Sequence, residues 1–501
     1  MMDYLIYFGI FLTIYTIVLY FGMNYTNMLF WKATWVPCDV PDFIIGDLEG
    51  LSRSRKLASA LRETYKKYKS KMGSFCGFFM SARPVALVTD LDLAYNILVR
   101  DADKFDDRGS YHNKNDDAFA ENLWNLEAAE WSVLRRKLAP LFTSEKLKTI
   151  FPLIVKIGDE LKKQFAAADE NEIIIEIHDL CQRYITDVIA NCILGLQVNS
   201  LQDPSSEFRL FTKKYAMKSC STWTYTLMQW KPELARRWHL TQTFDKVRDF
   251  YYRVIGGTIV EREKKKYKRN DLMTRLIELK NAKVKANRLS LDEIIVNSAL
   301  FFEAGYEPSA SILTYAFFEL GLEQLVQNKL RREITDVLKR HNGKLTYEAM
   351  EEMKYLDMVI LETLRKYCIY PYIERVANDD YITNVEDFII FKDTKVVIPI
   401  EAIHHDSDYN ERPTAFIPTR FETEKLQSRH PCACLPFGAG PRNCIGMRFA
   451  KLMIGVALIA LLSEYKFDLS SKCTLVMESP KDRVLLRPEK EVKMCVQKLQ
   501  T

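Results

Sequence analysis

The stretch Pro436-Phe437-Gly438-Ala439-Gly440-Pro441-Arg442-Asn443-Cys444-Ile445-Gly446 decides how the rest of the chain is read. It surrounds Cys444 with glycines, whose backbone can turn tightly and pass close to a neighbour, and sets the fixed cation of Arg442 two residues before the sulfur. The next segment, MRFAKLMIGVALIALLSEY, has the spacing of a helix with an apolar face, which puts Cys444 at a helix N-terminus. Free backbone N–H groups and the positive end of the dipole there should lower the thiol pKa.

A thiolate in a loop that admits a flat anionic partner suits the axial ligand of a haem iron. Zinc held by His430, Cys432, Cys434 and Cys444 fits poorly, since only Ala433 separates Cys432 from Cys434 whereas paired zinc cysteines typically enclose about two to four residues. The eleven cysteines are scattered and odd in number, which suits a reducing compartment. A hydrophobic content of 48% supports a large core, and a net charge of +5 is too weak to imply nucleic acid as a partner. No Pro/Gly/Ser-rich linker or internal repeat divides the 501 residues.

Tyr4 to Trp31 carries no charge, and Leu5 to Met23 as a helix would measure roughly 28 Å, close to the bilayer hydrocarbon thickness. Asp3 before it and Lys32, Arg53, Arg55 and Lys56 after it orient the chain with its body in the cytosol. The expected organisation is a membrane anchor over 1–31, a proline-containing linker over 32–53 with Pro37 and Pro41, and one catalytic domain over 54–501. Helix is expected near Leu57 to Tyr68, Leu91 to Val99, and over most of Ala128 to Tyr367. FCGFFM with VALVTD, and DFIIF with TKVVIPI, read as strands.

The loop matches the haem-binding pattern of the cytochrome P-450 superfamily at Phe437, Gly440, Arg442, Cys444 and Gly446. Further segments, among them FDDRGSYHNKNDD, RYITDVIANCILGL and HNGKLTYEAMEEMKYLDMVILETLRKY, extend the resemblance over nearly the whole chain. They are similar to insect microsomal members of the detoxification group. The resemblance implies a mainly α fold with minor β, a large helical domain plus a small sheet-rich region. It also implies haem b, with Cys444 as iron ligand and with Phe437, Gly438 and Gly446 shaping the loop. Glu362 and Arg365 match the family's ExxR element and join Arg420 in a structural network. Trp131 and Arg135, four apart on one helical face, match its WxxxR element and would bind the propionates together with Arg375 and Arg442.

The pattern breaks in ALFFEAGYEPSAS, where Pro308 stands at the position of the family's threonine. Ala304, Gly305, Glu307, Pro308 and Ser309 are therefore the candidate catalytic residues. Proline supplies no hydroxyl, but within a helix it presses on the carbonyl of Ala304 and can distort the turn. Ser309 is rotated by about 100° from the threonine position. CIYP at Cys368 to Pro371 also departs from the family. Phe119, Trp124, Phe211, Trp223, Tyr225 and Trp230 are aromatics of the regions placed over the haem.

The implied activity is a haem-thiolate monooxygenase acting on a small apolar substrate, a xenobiotic or an endogenous lipid or hormone. NADPH electrons would come through a membrane-bound cytochrome P-450 reductase, with cytochrome b5 as a second donor, at the endoplasmic reticulum. Arg136, Lys137, Arg448 and Lys451 are candidates for the docking face. Because of Pro308, the alternatives are a haem-thiolate isomerase or dehydratase, and a haem-binding protein without turnover.

Overall fold

A computed structural model describes residues 29–41, 57–69, 73–80, 83–169, 172–215, 231–383, 388–471 and 490–499, together with a few positions between them. Leu5 to Met23 lies outside the described residues except at 7, 15 and 22, as do Trp223, Tyr225, Trp230 and most of 42–56. Among the described residues no helix is long and apolar enough to cross a membrane.

Helices dominate. Those that build the site are α1 (Leu57–Tyr68), α2 (Ala128–Leu138), α3 (Ser144–Lys163), α4 (Ile177–Ile189), α5 (Glu207–Tyr215), α6 (Leu291–Leu322), α7 (Gln324–Arg340), α8 (Lys354–Lys366) and α9 (Met447–Leu462). The centre is α6. Its first turn is held by a capping box in which Ser290 Oγ accepts the Glu293 N–H at 3.0 Å and Glu293 Oε2 accepts the Ser290 N–H at 2.6 Å. It is apolar nearly all round, as a helix enclosed by others must be, and packs on α4, α8 and α9. From Phe449 to Leu462, α9 is likewise almost wholly buried, against α3 and α6.

Four strands form the main sheet in the order β1 (Phe75–Met80), β2 (Arg83–Val88), β7 (Lys395–Ile398), β4 (Ile373–Val376). β1 and β2 are an antiparallel hairpin, β2 and β7 run parallel, and β4 returns antiparallel with Arg375 opposite Val396. β3 (Ile173–Glu176), β8 (Tyr465–Leu469) and β9 (Lys493–Lys498) make a second sheet, and β5 (Tyr381–Ile382) pairs with β6 (Ile389–Ile390). The hairpin, α1 and the helical stretch follow the hydrophobic pattern, whereas β3, β4 and β9 carry no strict alternation, and the alternating β8, YKFDL, follows directly on the apolar run of α9. The expected helix at Leu91 to Val99 is α-helical only to Tyr95 and continues as a π-turn from Asn96 to Arg100.

Candidate active site

The cysteine loop is closed by its own backbone. Cys444 N–H donates to Phe437 O at 2.9 Å and Asn443 N–H to Gly440 O at 3.1 Å. Gly438 and Gly440 both have left-handed φ, 69° and 71°. A Cβ on Gly440 would stand 1.6 Å from the carbonyl oxygen of Leu98, so only glycine lets the loop pass over the Asn96–Arg100 turn. Gly446 is the N-cap of α9, and among the described residues no heavy atom beyond its chain neighbours lies within 4 Å of where its Cβ would be.

The thiol of Cys444 departs from the sequence expectation. Burial pushes its pKa up, and this outweighs the Gly446 N–H and the cations of Arg135 and Arg108, which pull it down. Yet the residue is exposed to a water-sized probe. A side chain both enclosed by protein and accessible borders an internal cavity. Tyr370, beside Cys444 and Arg108, is in the same situation, and burial first and the neighbouring sulfur second raise its hydroxyl pKa to about 12.

Arg442 is buried, with its guanidinium 4.2 Å from the centre of the Trp131 ring, and its Nη2 donates to Leu126 O at 3.0 Å. Its Nε and Nη1 have no hydrogen-bond partner among the described residues. Arg135 reaches from α2 to the loop, donating to Asn443 Oδ1 at 2.9 Å. Arg375 comes from β4 and is buried. Burial lowers both Arg442 and Arg375 to about 10.

A fourth cation joins them. Arg108 donates to Trp124 O at 3.0 Å and to Arg442 O at 3.3 Å. Its pKa is driven well below the usual arginine value by burial and then by Arg375, Arg442 and Arg135. Sequence reasoning missed Arg108, although it lies in the quoted segment FDDRG. It also missed Asp107, which organises the cluster. The carbonyl of Asp107 accepts the Val376 N–H from the end of β4 at 2.9 Å. Its carboxylate accepts the Ala128 N–H at the start of α2 at 2.7 Å, with Arg442 Nη2 at 3.4 Å. Four buried or enclosed cations, of which Arg442 keeps two N–H groups unpaired among the described residues, fit an anionic group carrying two carboxylates, which a haem is.

On α8, Arg365 makes a fork to Glu362, Nε to Oε2 at 2.7 Å and Nη2 to Oε1 at 2.9 Å, and both side chains are fully buried. Glu362 Oε1 also accepts from Arg420 Nε at 3.0 Å and from the Ile417 N–H at 2.9 Å. Arg365 Nη1 donates to the carbonyl of His404 at 3.0 Å. Nε2 of His404 accepts the N–H of Leu435, one residue before the cysteine loop, at 2.8 Å.

Within α6, every side chain from Ile294 to Gly321 is buried except Leu300, Glu303, Ala304, Gly305 and Pro308, and Ala304 is exposed. Leu300, Ala304 and Pro308 recur every fourth residue, so one stripe of a core helix borders a cavity. The helix is α throughout its 32 residues, so the expected distortion at Pro308 is absent from its hydrogen-bonding class. Gly305 lies against Ile189 of α4, whose Cδ1 a Cβ would approach to 2.9 Å. Ser309 is buried. Glu307 faces α4, where its Oε2 accepts from Gln182 Nε2 at 3.1 Å. Burial would raise its pKa, but His178, Arg487 and Gln182 outweigh that and hold it below the usual glutamate value.

Phe119 stacks on Tyr251, Phe211 on Phe250, and Trp124 on Tyr370. Of the surface cations, Lys451 pairs with Asp357 at 2.7 Å and Lys137 donates to Arg288 O at 2.7 Å, while Arg136 and Arg448 are exposed. Among the described residues no three His, Cys, Asp or Glu side chains gather as a metal site, which leaves the zinc alternative without support.

Comparison with known proteins agrees with this architecture. The family described as Cytochrome P450 matches residues 37–496. Among curated relatives from Drosophila melanogaster, Probable cytochrome P450 6a23 is 38% identical over 94% of this chain and 95% of its own length. Probable cytochrome P450 6a20 is 39% identical over 89% and 90%, and Cytochrome P450 6a9 is 35% identical over 94% and 95%. A likeness that runs almost from end to end makes this chain a member of the cytochrome P450 family, grouped with insect 6a relatives, and hence an oxidoreductase, a haem-dependent monooxygenase.

Proposed function

We propose that the chain would hold haem b through the Cys444 thiolate as iron ligand, and that it oxygenates a small apolar substrate with electrons from NADPH. The carrying observation is the enclosed thiol of Cys444 beside Arg135 and Arg108, in a cluster that Arg375 and Arg442 complete around Arg108, with two N–H groups of Arg442 unpaired among the described residues. When bound, the haem supplies the redox-active iron at which dioxygen is activated. One oxygen atom enters a C–H bond of the substrate and the other leaves as water, consuming two electrons and two protons.

The chain's own residues have separable tasks in this reading. Arg108, Arg135, Arg375 and Arg442 neutralise the two propionates, and Trp131 holds Arg442 in place through its ring face. Phe437, Gly438, Gly440 and Gly446 keep the loop thin around the sulfur. Glu362, Arg365, Arg420 and His404 brace that loop from beneath. The stripe of Leu300, Ala304 and Pro308 excludes water and offers an apolar wall to substrate, while Glu307 supplies protons. A xenobiotic or an endogenous lipid or hormone would suit such a wall.

Electrons would come from an NADPH cytochrome P-450 reductase, with cytochrome b5 as an additional donor, docking near Arg136, Lys137, Arg448 and Lys451. The uncharged run from Tyr4 to Trp31 supports an anchor over 1–31, a linker over 32–53 and a domain over 54–501 on the cytosolic face of the endoplasmic reticulum.

The test is the carbon monoxide difference spectrum of the reduced protein, with Cys444→Ser as control, followed by product formation with reductase and NADPH. A thiolate spectrum that Cys444→Ser leaves unchanged would refute the ligand assignment. Product formed without NADPH would instead support an isomerase or dehydratase.

A further inference from the structure

Glu307 is buried, yet one of its oxygens is not hydrogen-bonded. Oε1 has no hydrogen-bond partner among the described residues, and it lies 3.5 Å from His178 Nε2 and 3.8 Å from Arg487 Nη1. The bonds around His178 fix its tautomer. Thr314 Oγ1 donates its own hydrogen to Ala310 O at 2.7 Å, so at the 2.9 Å contact with His178 Nδ1 it must accept, and Nδ1 carries the hydrogen. Nε2 of the neutral ring then faces Gln182 Nε2 at 3.1 Å as an acceptor, while the other amide hydrogen of Gln182 goes to Glu307 Oε2.

Once the 3.5 Å gap between His178 Nε2 and Glu307 Oε1 closes to hydrogen-bond length, a single proton can lie on either side of the contact. Either the carboxylic acid donates to the imidazole, or the imidazolium donates to the carboxylate. His178 also lines a surface depression of about 660 Å³ together with Glu176, Asp179, Lys213 and Arg487, so its ring has access to bulk water. Glu307 stands on the other side of it, next to Pro308 on the cavity stripe of α6.

We infer that His178 is a proton relay that takes protons from bulk water at this depression and passes them to Glu307. This rests on the monooxygenase reading, in which two protons are consumed per turnover. No bond other than N–H and O–H changes: Nε2 gains a proton from water, passes it to Oε1, and returns to the neutral tautomer.

Other charges face this pair from each packed element. Asp179 on α4 accepts from Arg209 and Lys213 of α5, at 2.7 Å and 2.9 Å. Tyr306 on α6 accepts from Arg209 at 3.2 Å, and Glu176 caps α4. Arg487 comes from the chain's C-terminal part. None of these carries a hydrogen between His178 and Glu307, so they set the field without providing the path.

The test is His178→Gln in the full-length haem-loaded protein, with His178→Asn as a second variant if the first is poorly expressed. Product formation should fall by up to about 10²-fold, the low end of what a positioned proton donor contributes, with substrate KM nearly unchanged. The alkaline limb of the pH profile, where the relay runs short of protons, should change, and added imidazole should restore part of the rate. Infrared titration of the Glu307 carboxyl, assigned with Glu307→Gln, is an independent readout that needs no turnover. A shift of that titration on replacing His178 supports the relay even if wild type proves inactive with NADPH, an outcome that would count against the monooxygenase reading alone. An unchanged carboxyl titration, or an unchanged rate and pH profile in an active enzyme, would overturn it.

Discussion

Nε2 of His404 accepts the backbone N–H of Leu435 at 2.8 Å, which ties the ExxR helix to the start of the cysteine loop through one imidazole. The same ring places Nδ1 3.2 Å from the carbonyl of Arg365, so it is neutral with its hydrogen on Nδ1. Burial keeps the pKa of His404 well below the usual histidine value. Replacing His404 with Phe should leave the Leu435 N–H unsatisfied and cost about 1–3 kcal/mol in unfolding free energy. Denaturant midpoints at pH 7 check it.

The neighbouring His405 is half-buried, and desolvation lowers its pKa to about 4. The unfolded chain, with a histidine pKa near 6.5, binds this proton before the native one does. Its contribution to stability is therefore complete above about pH 6.5 and is lost as the pH falls towards 4, at about 1.4 kcal/mol per pH unit. His405→Gln should flatten the fall in stability between pH 6.5 and 4, read as the change in unfolding free energy across that window.

Arg365 and Glu362 are both completely buried, so removing one leaves the other charge uncompensated. Arg365→Met should destabilise by about 3–5 kcal/mol. Arg365→Lys should recover little of this, since an ammonium cannot reproduce the fork to Glu362 and the bond to the His404 carbonyl together. Soluble yield and melting temperature report both outcomes.

Two glycines of one loop should respond differently. Gly440→Ala places a Cβ against the Leu98 carbonyl and forces a left-handed φ on a side chain, so folding and haem retention should fall together. At Gly446 the added methyl meets no atom of the described residues beyond its chain neighbours, so Gly446→Ala should fold normally and lose only haem occupancy. Melting temperature against pigment-to-protein ratio separates the two.

Arg108 is held among three other arginines, which depress its pKa together with burial. Arg108→Gln removes repulsion from the haem-free protein and a counter-charge from the haem-bound one. Melting of the haem-free form should rise, and the rate of haem loss to an acceptor globin should increase. A parallel fall in both would contradict the role assigned to the cluster.

Pro308→Thr restores a hydroxyl on the cavity stripe of α6. It should raise the fraction of NADPH electrons recovered in product relative to peroxide. Equal coupling in the two proteins would show that Pro308 is neutral to oxygen activation.

Much of this site is readable in the chain because it depends on local spacing. Glu362 and Arg365 are three apart, and Trp131 and Arg135 four apart, so a helix alone puts each pair on one face. Gly438 and Gly440 mark a loop that must turn left-handed, and the long apolar run before and after Pro308 marks a helix enclosed by others. Family resemblance rests on the same local features. It also suffices to name haem as the cofactor.

Tertiary structure decided what depends on distant segments meeting. Arg108 and Asp107 gained their importance only when α2, 21 positions on from Asp107, met β4 and the cysteine loop there, the loop's Arg442 being 335 positions away. The direction of the Cys444 shift depended on desolvation, which a helix N-terminus and nearby cations do not reveal in sequence. Glu307 turns to α4 because Gln182 and His178 are there to meet it. Local geometry fixes which side chains share a face, and only packing fixes what that face touches and how much water it keeps.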